Sequence, residues 1–154
     1  MNTSTPPKQD SASIAQLLSV LLAHTYALYL KTQGYHWNVE DKEFSMLHSL
    51  FEKEYTALSD AVDKTAERIR TLGHYAPASF TAYQKLSKIP DGHAPTPASE
   101  MIRGLCADHS TVITLIHEML KVLHTTSDEG TISFLNDRLQ EHEKTLWILN
   151  SHLS

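Results

Sequence analysis

Cysteine and glycine are scarce in this sequence, and there is no excess of basic residues. Among 154 residues there are one cysteine, Cys106, and five glycines. A single cysteine cannot form an internal disulfide, which excludes a disulfide-stapled scaffold and is typical of a reducing compartment. Thirteen Lys and Arg against 18 Asp and Glu give a formal charge of −5. This balance excludes a strongly basic nucleic-acid-binding domain as the whole protein.

The N-terminal residues show no pattern of a secretory signal. Residues 1–10 are polar and contain Pro6 and Pro7, so we expect a flexible tail there and a single domain over residues 11–154. The first apolar stretch, residues 14–30, includes Gln16 and His24 and indicates an amphipathic helix rather than a membrane span. The expected location is the cytoplasm, without a membrane partner.

Helical repeats of apolar residues are abundant. They recur at spacings of three and four along four segments, at about residues 11–38, 44–72, 96–123 and 128–149. The proline-rich connection between the second and third segments contains a short helical pattern at residues 79–86. No segment predicts a strand. The sequence therefore predicts an all-α, ferritin-like four-helix bundle with a short extra helix in the crossover between the second and third long helices.

Four residues mark where these helices begin or end. Gly73 predicts the end of the second helix, because glycine favours the position after a helix. Thr96 and Pro97 predict the N-cap and the first residue of the third. Asp128 predicts the N-cap of the last.

Histidine and carboxylate side chains lie at helical spacing on the second predicted helix. His48 and Glu52 are four residues apart, and Asp63 and Glu67 repeat this spacing further along. Side chains four apart share one helix face, and imidazoles with carboxylates suit Fe(II). His36, just before the turn that opens this helix, can join the same face. These residues form a candidate metal site.

The two pairs are too far apart for one metal site within one chain. Glu52 and Asp63 are separated by about 16 Å at ~1.5 Å per residue. Both pairs are centred on the same point, between Ala57 and Leu58. We hypothesise that a second copy crosses antiparallel there, with Ala57 and Ala61 near the axis. Each of two identical sites then contains His36, His48 and Glu52 of one chain with Asp63 and Glu67 of the other.

The residues alone leave a simpler interpretation open. Charged residues four apart on a long helix are usually a solvated face. His24 and His117, each alone on an apolar face, are expected to be satisfied core histidines, Cys106 a packed small hydrophobe and Trp147 a core residue.

Two groups of residues resemble the Dps family, the DNA-binding proteins from starved cells, or mini-ferritins. The first group is His36-Trp37-Asn38-Val39, Phe44, Leu47-His48, Phe51, Tyr55, Leu58, Asp63, Ala66-Glu67-Arg68-Ile69-Arg70 and Leu72-Gly73. The second is Asp128, Gly130-Thr131, His142-Glu143-Lys144 and Trp147. The resemblance covers about residues 11–152, and its central motif is long and specific. It favours the metal site over the solvated face.

The resemblance implies a fold, an assembly and a ligand set. Dps proteins are four-helix bundles with a short crossover helix, and two-fold dimers assemble into twelve-subunit shells. Their ferroxidase sites lie at the two-fold interfaces, in agreement with the spacing above. By match, His36, His48, Asp63 and Glu67 are iron ligands. The family usually has Asp where this chain has Glu52, which keeps the carboxylate and is retained as a ligand.

The implied function is that of a ferroxidase. Fe(II) would be oxidised preferentially by hydrogen peroxide and stored as a ferric mineral, protecting DNA and the bacterial cell from oxidative stress. Trp37, beside His36, would donate a leftover electron or simply pack at the interface. Asp128 and Glu129 would line an acidic pore for iron entry or merely cap a helix.

Other classes of function stay open at this point. A DNA-binding, nucleoid-condensing protein with weak or no ferroxidase activity is the main alternative. Phosphate binding needs clustered basic residues, and residues 1–10 contain only Lys8, so we expect weak or absent DNA binding at neutral pH. A structural cage with a degenerate site is a third class, and zinc could replace iron.

Overall fold

Five α-helices make up the computed structural model, which describes residues 8–153. They are α1 (Lys8–Asn38), α2 (Phe44–Thr71), α3 (Phe80–Leu86), α4 (Ala98–Leu123) and α5 (Glu129–Ser151). No strand occurs between residues 8 and 153. The predicted all-α, ferritin-like bundle with a short helix in the crossover is confirmed.

Two helix starts differ from the sequence prediction. Helix α1 begins at Lys8, three residues earlier than predicted, directly after Pro6 and Pro7 and with Asp10 in its first turn. An acidic residue there complements the positive end of the helix dipole, which the tail prediction did not weigh. Residues 1–7 of the predicted tail lie outside the described residues. Pro97 was predicted as the first residue of α4, but it has an extended backbone and occupies the N-cap position. Thr96 was predicted as the N-cap, but its hydroxyl donates to the His93 carbonyl.

The other predicted helix ends are confirmed. After α2, Gly73 has φ 88°, and its N–H bonds the Arg70 carbonyl while the His74 N–H bonds that of Ile69. This pattern is a Schellman motif, which needs a left-handed residue at the position of Gly73. Asp128 caps α5 by accepting from the Thr131 N–H.

The core runs along the bundle axis between two helix pairs. Helix α1 packs mainly on α2, and α4 packs on α5. Helices α1 and α4 join the pairs, whereas α2 and α5 barely meet. The largest fully buried side chains are Phe51, Ile14, Leu18, Leu21, Leu22, Leu28, Ile69, Met101, Leu105, Ile116, Met119 and Leu123. Burial of these side chains supplies the main driving force for folding.

Helix α1 is apolar enough, by length and composition, to cross a membrane. The prediction that this stretch is too polar to span a membrane was therefore wrong, because its mean hydropathy is high enough. In the bundle, α1 packs against α2, α3 and α4, and its leucines at positions 18, 21, 22 and 28 are buried. A core helix of a soluble bundle meets the same composition test, and the burial identifies α1 as one.

The crossover is tied to α1 by polar contacts. The His24 ring donates from Nδ1 to the Val20 carbonyl and accepts at Nε2 from the Lys88 N–H. Lys31 donates to the Pro90 carbonyl and forms a buried ion pair of 2.7 Å with Asp108 of α4. The prediction of a satisfied core histidine is confirmed for His24. It was wrong for His117, which lies on the exposed face of α4. Trp147 is mostly exposed, so its placement in the core was wrong, while Cys106 is buried as expected.

Candidate metal centre

His36 and His48 face each other across the turn that joins α1 to α2. Their rings are stacked, with centroids 3.8 Å apart and planes inclined by 17°. His36 Nδ1 lies 2.7 Å from the His48 carbonyl oxygen, and His48 Nδ1 lies 2.8 Å from the His36 carbonyl oxygen. These two hydrogen bonds therefore connect the last turn of α1 to the first turns of α2.

These bonds define the tautomer of both rings. A carbonyl oxygen only accepts hydrogen bonds, so each Nδ1 carries the proton and donates. The neutral ring then has its lone pair on Nε2, which is the arrangement of a metal-binding histidine whose second nitrogen donates to a carbonyl. The sequence predicted both residues as ligands but could not show this mutual orientation.

Aromatic and apolar side chains surround the two rings. Phe44 stacks on His48 at 4.9 Å between centroids, and Tyr55 meets His36 edge-on at 5.1 Å. Trp37 is 61% exposed, and Met46 and Phe44 are also exposed. Single exposed apolar residues are ordinary, but a group of them beside polar residues is typical of a surface that a partner covers.

The three carboxylates of the predicted site lie along the outer face of α2. Glu52, Asp63 and Glu67 are all exposed, whereas the core face of the same helix holds residues such as Phe51 and Leu58. Within residues 8–153 of one chain, no three His, Cys, Asp or Glu side chains come together as a metal site. One chain thus contributes the histidine pair with Glu52 nearby, and Asp63 and Glu67 lie several turns away.

The small residues near the predicted crossing point differ from those inferred from sequence. Ala61 is buried in the core, and Ala57 borders the gap between α2 and α5. At about 100° per residue, the exposed Thr56 and Ser59 lie on the face of Glu52 and Asp63. Any close approach of a second copy on this face would therefore meet Thr56 and Ser59.

Asp128 and Glu129, the predicted pore residues, have different surroundings. Asp128 is 4% exposed, and its carboxylate pairs with Arg68 at 2.8 Å and accepts from the backbone and hydroxyl of Thr131. It ties α2 to the start of α5 and is not free to line a channel, because its polar atoms are engaged inside the fold. Glu129 is exposed. The structure thus supports the capping alternative for Asp128, and the pore role of Glu129 stays a prediction.

A second polar cluster, which the sequence reasoning missed, lies inside the bundle between α2, α4 and α5. It consists of Glu54, His109, Arg138 and His142, and we refer to it as the core cluster. His109 and His142 are buried, with their Nδ1 atoms 2.9 Å apart, and Arg138 Nη2 donates to His142 Nε2 at 3.0 Å. The spacing of Glu54, buried among apolar positions of α2, was the signal that could have revealed it.

Burial sets the ionisation of this cluster. Desolvation lowers the pKa of His109 to about 4, with Arg138 acting in the same direction, and it lowers the pKa of His142 well below the ordinary value. Desolvation also raises the pKa of Glu54 to about 8. Both imidazoles are therefore neutral near pH 7 because charged forms are costly in the core.

Comparison with known proteins agrees with this geometry. The family described as ferritin-like domain matches residues 15–154. A DNA protection during starvation protein of Brevibacillus brevis is 31% identical over 145 residues, 92% of this chain and 97% of that protein. A low temperature-induced protein of a Nostoc species is 34% identical over 147 residues, covering 94% of this chain and 82% of that protein.

Among solved structures, the Dps protein of Vibrio cholerae O1 superposes with a TM-score of 0.94. It is 34% identical, and the match covers 100% of this chain and 97% of that one. That protein is described as a member of a broad superfamily of ferritin-like diiron-carboxylate proteins. The present chain belongs to the ferritin-like proteins and, within them, to the Dps family.

Proposed function

We propose that this protein oxidises Fe(II) at sites shared between two subunits and stores the ferric product in a hollow shell. The observation that carries the proposal is the reciprocal bonding of His36 and His48. Each ring donates from Nδ1 to the other residue's carbonyl and so presents Nε2 as a metal ligand. Fixed imidazoles on a rigid helix junction are what a binding site for iron as substrate requires.

The acidic face of α2 supplies the rest of the proposed site. Glu52 lies one turn from His48, and a second copy crossing antiparallel would bring its Asp63 and Glu67 to the same place. The exposed Trp37, Phe44 and Met46 support such contact, because a partner would remove them from water. Carboxylates also favour the Fe(III) product over Fe(II) through its higher charge.

The reaction that fits this site is a pairwise oxidation. Two Fe(II) ions each give one electron to one hydrogen peroxide, which with two protons yields two Fe(III) ions and two waters. Pairing the electrons avoids release of a hydroxyl radical. The family resemblance supports peroxide as the preferred oxidant and a homododecamer built from two-fold dimers. It also supports a bacterial cytoplasmic location.

Trp37 is proposed as an electron donor for the case of a single bound iron. It directly follows His36 in α1 and is exposed in the single chain, so a partner surface would cover it. Replacement of Trp37 by Phe tests this role. A higher release of hydroxyl radical at one iron per site would support the donor role. An unchanged release would mean that Trp37 only packs at the interface.

The main test of the proposal combines two readouts. The protein is loaded with Fe(II) without oxygen, and peroxide is added while ferric absorbance and hydroxyl-radical trapping are followed. Rapid oxidation with little radical, lost in His48→Ala/Asp63→Ala, is the expected result. A rate equal to that of the protein-free control would refute ferroxidase activity.

DNA protection is the second candidate function, because several relatives are named DNA protection during starvation proteins. The formal charge of −5 opposes direct binding to phosphates, so we propose protection by removal of iron and peroxide. A tight gel shift at physiological salt and pH 7 would instead show direct binding.

A further inference from the structure

The core cluster borders a small cavity of about 20 Å³ between α2, α4 and α5. Its lining consists of Glu54, His109, Arg138 and His142 together with Ala57, Leu58, Glu141 and Thr145. Four-helix bundles build metal sites from Glu and His side chains that point inward from facing helices. Whether this cavity suits a metal ion or another ligand follows from its hydrogen bonds.

The hydrogen bonds fix which ring nitrogens carry protons. Arginine has only donors, so His142 Nε2 must accept from Arg138 Nη2. The neutral His142 ring then carries its proton on Nδ1 and donates it to Nδ1 of His109. His109 consequently holds its own proton on Nε2. The chain of donors runs from Arg138 through His142 to His109.

Several polar atoms of the core cluster have no hydrogen-bond partner among residues 8–153. They are His109 Nε2 and Arg138 Nε, both donors, and the two carboxyl oxygens of Glu54. His109 is 1% exposed and Glu54 is 8% exposed. Buried polar groups of this kind are destabilising unless a partner satisfies them. The residues that line the cavity thus carry two unpartnered donors and an unpartnered carboxyl group.

A metal cation does not fit this arrangement. The lone pair of His142 Nε2 is occupied by Arg138, and His109 Nε2 carries a proton. A neutral ligand that accepts two hydrogen bonds and donates one would satisfy His109 Nε2, Arg138 Nε and the Glu54 carboxyl group. Neither histidine would have to change its tautomer.

We propose that this cavity binds one water molecule, held by His109 Nε2, Arg138 Nε and the carboxyl group of Glu54. The volume suits this ligand, because a single water needs about 10–15 Å³ of accessible space and typically makes about three hydrogen bonds. The water continues the donor chain from α5 through α4 to α2.

The water also adds a contact between α2 and α5 to the one that Arg68 makes with Asp128 and Thr131. Helix α2 carries four of the five proposed iron ligands, all of which lie outside the core cluster. The water site therefore does not rest on the proposed function. The core cluster is consequently not a second iron site.

Neutron and atomic-resolution X-ray diffraction of the assembled protein test the water site directly. The expected result is one ordered water bonded to His109, Arg138 and Glu54, with deuterium on His142 Nδ1 and His109 Nε2. Glu54→Gln, which retains an acceptor oxygen, should keep the water, and Glu54→Leu should lose it. A dry cavity, the opposite tautomers, or a fully occupied water in Glu54→Leu would overturn the proposal.

Titration with Co²⁺ separates the core cluster from the proposed iron site. The protein used is His48→Ala/Asp63→Ala, in which the inter-subunit site is disabled and the core is intact. No absorption from histidine-bound cobalt is expected. An absorption that disappears in the additional variant His109→Gln would show that the core binds metal and would refute the water site. This outcome does not depend on ferroxidase activity.

Discussion

The molecule contains two histidine pairs that differ in what their Nδ1 atoms contact. In the pair His36 and His48, each Nδ1 donates to a backbone carbonyl, so Nε2 is available to a metal. In the pair His109 and His142, the Nδ1 atoms bond to each other, and Arg138 occupies Nε2 of His142. The comparison teaches that the hydrogen-bond partners of an imidazole, more than the residue type, decide whether one of its nitrogens is available to a metal.

The largest expected effect distinguishes the two pairs by activity. His48→Ala removes a proposed ligand and the bond to the His36 carbonyl, so we expect peroxide-driven iron oxidation to fall by about a hundredfold or more. His109→Gln, as the matched control, should retain the rate of the parent per folded subunit. Stopped-flow absorbance of the ferric product measures both. Equal losses in the two variants would contradict the distinction.

A pH series tests the neutral state of the core pair. The folded pKa of His109 is about 4 against 6.5 for the ordinary group, so the unfolded chain binds more protons between these values. The free energy of unfolding should therefore fall as the pH is lowered from 6.5 to 4, by about 1.4 kcal/mol for each pH step of one within this range. His142 acts in the same direction, because its pKa is also lowered by burial.

Glu54 acts in the opposite direction and must be removed from this measurement. Its folded pKa of about 8 against 4.5 makes the folded state bind more protons between these values, so its contribution falls as pH rises. Thermal unfolding is therefore followed in Glu54→Gln. Two results would argue against a neutral buried pair. One is a thermal unfolding midpoint that stays constant as the pH is lowered from 6.5. The other is a pH dependence of this midpoint that does not change when His109→Gln is added.

Replacing Arg138 tests what fixes the core tautomer. In Arg138→Met, His142 Nε2 loses its donor, so the proton of the ring should redistribute between Nδ1 and Nε2. Nitrogen-15 chemical shifts of labelled histidines measure the change, with Lys144→Met, an exposed site on the same helix, as control. Retention of a single Nδ1–H form in Arg138→Met would show that Arg138 does not determine the tautomer.

The smallest expected effect concerns Glu52. Glu52→Asp shortens the side chain by one methylene and restores the residue that the resemblance leads us to expect. Because the carboxylate is kept, the oxidation rate should change by only about threefold or less. Glu52→Gln, which removes the charge but keeps the length, is the matched control and should be slower. Equal rates for all three proteins would remove Glu52 from the ligand set.

The sequence predicted the helices well because apolar periodicity and caps such as Gly73 and Asp128 act locally. It predicted the start of α4 one residue early, because a Thr-Pro pair fits either side of a helix start. It missed the core cluster because the spacing of Glu54 among apolar positions indicates burial but not which residues the carboxyl group meets. Its partners come from helices distant in sequence, and their contacts exist only after folding.

The candidate site was likewise predictable only where it depends on local sequence spacing. Spacing along α2 alone suggested a site shared between copies, because it depends only on helix geometry. The mutual locking of His36 and His48 depends on the angle at which α1 meets α2, which no local pattern encodes. Likewise, the engagement of Asp128 by Arg68 follows from the packing of α2 beside the start of α5.

The central claim, that each site is shared by two subunits, is tested most directly by complementation. His48→Ala and Asp63→Ala subunits are each expected to be inactive, and they are mixed one to one during assembly. A mixed two-fold dimer contains one intact site, so random pairing should restore about a quarter of the parent iron-oxidation rate. No recovery in mixed, correctly assembled shells would contradict a site built from two chains.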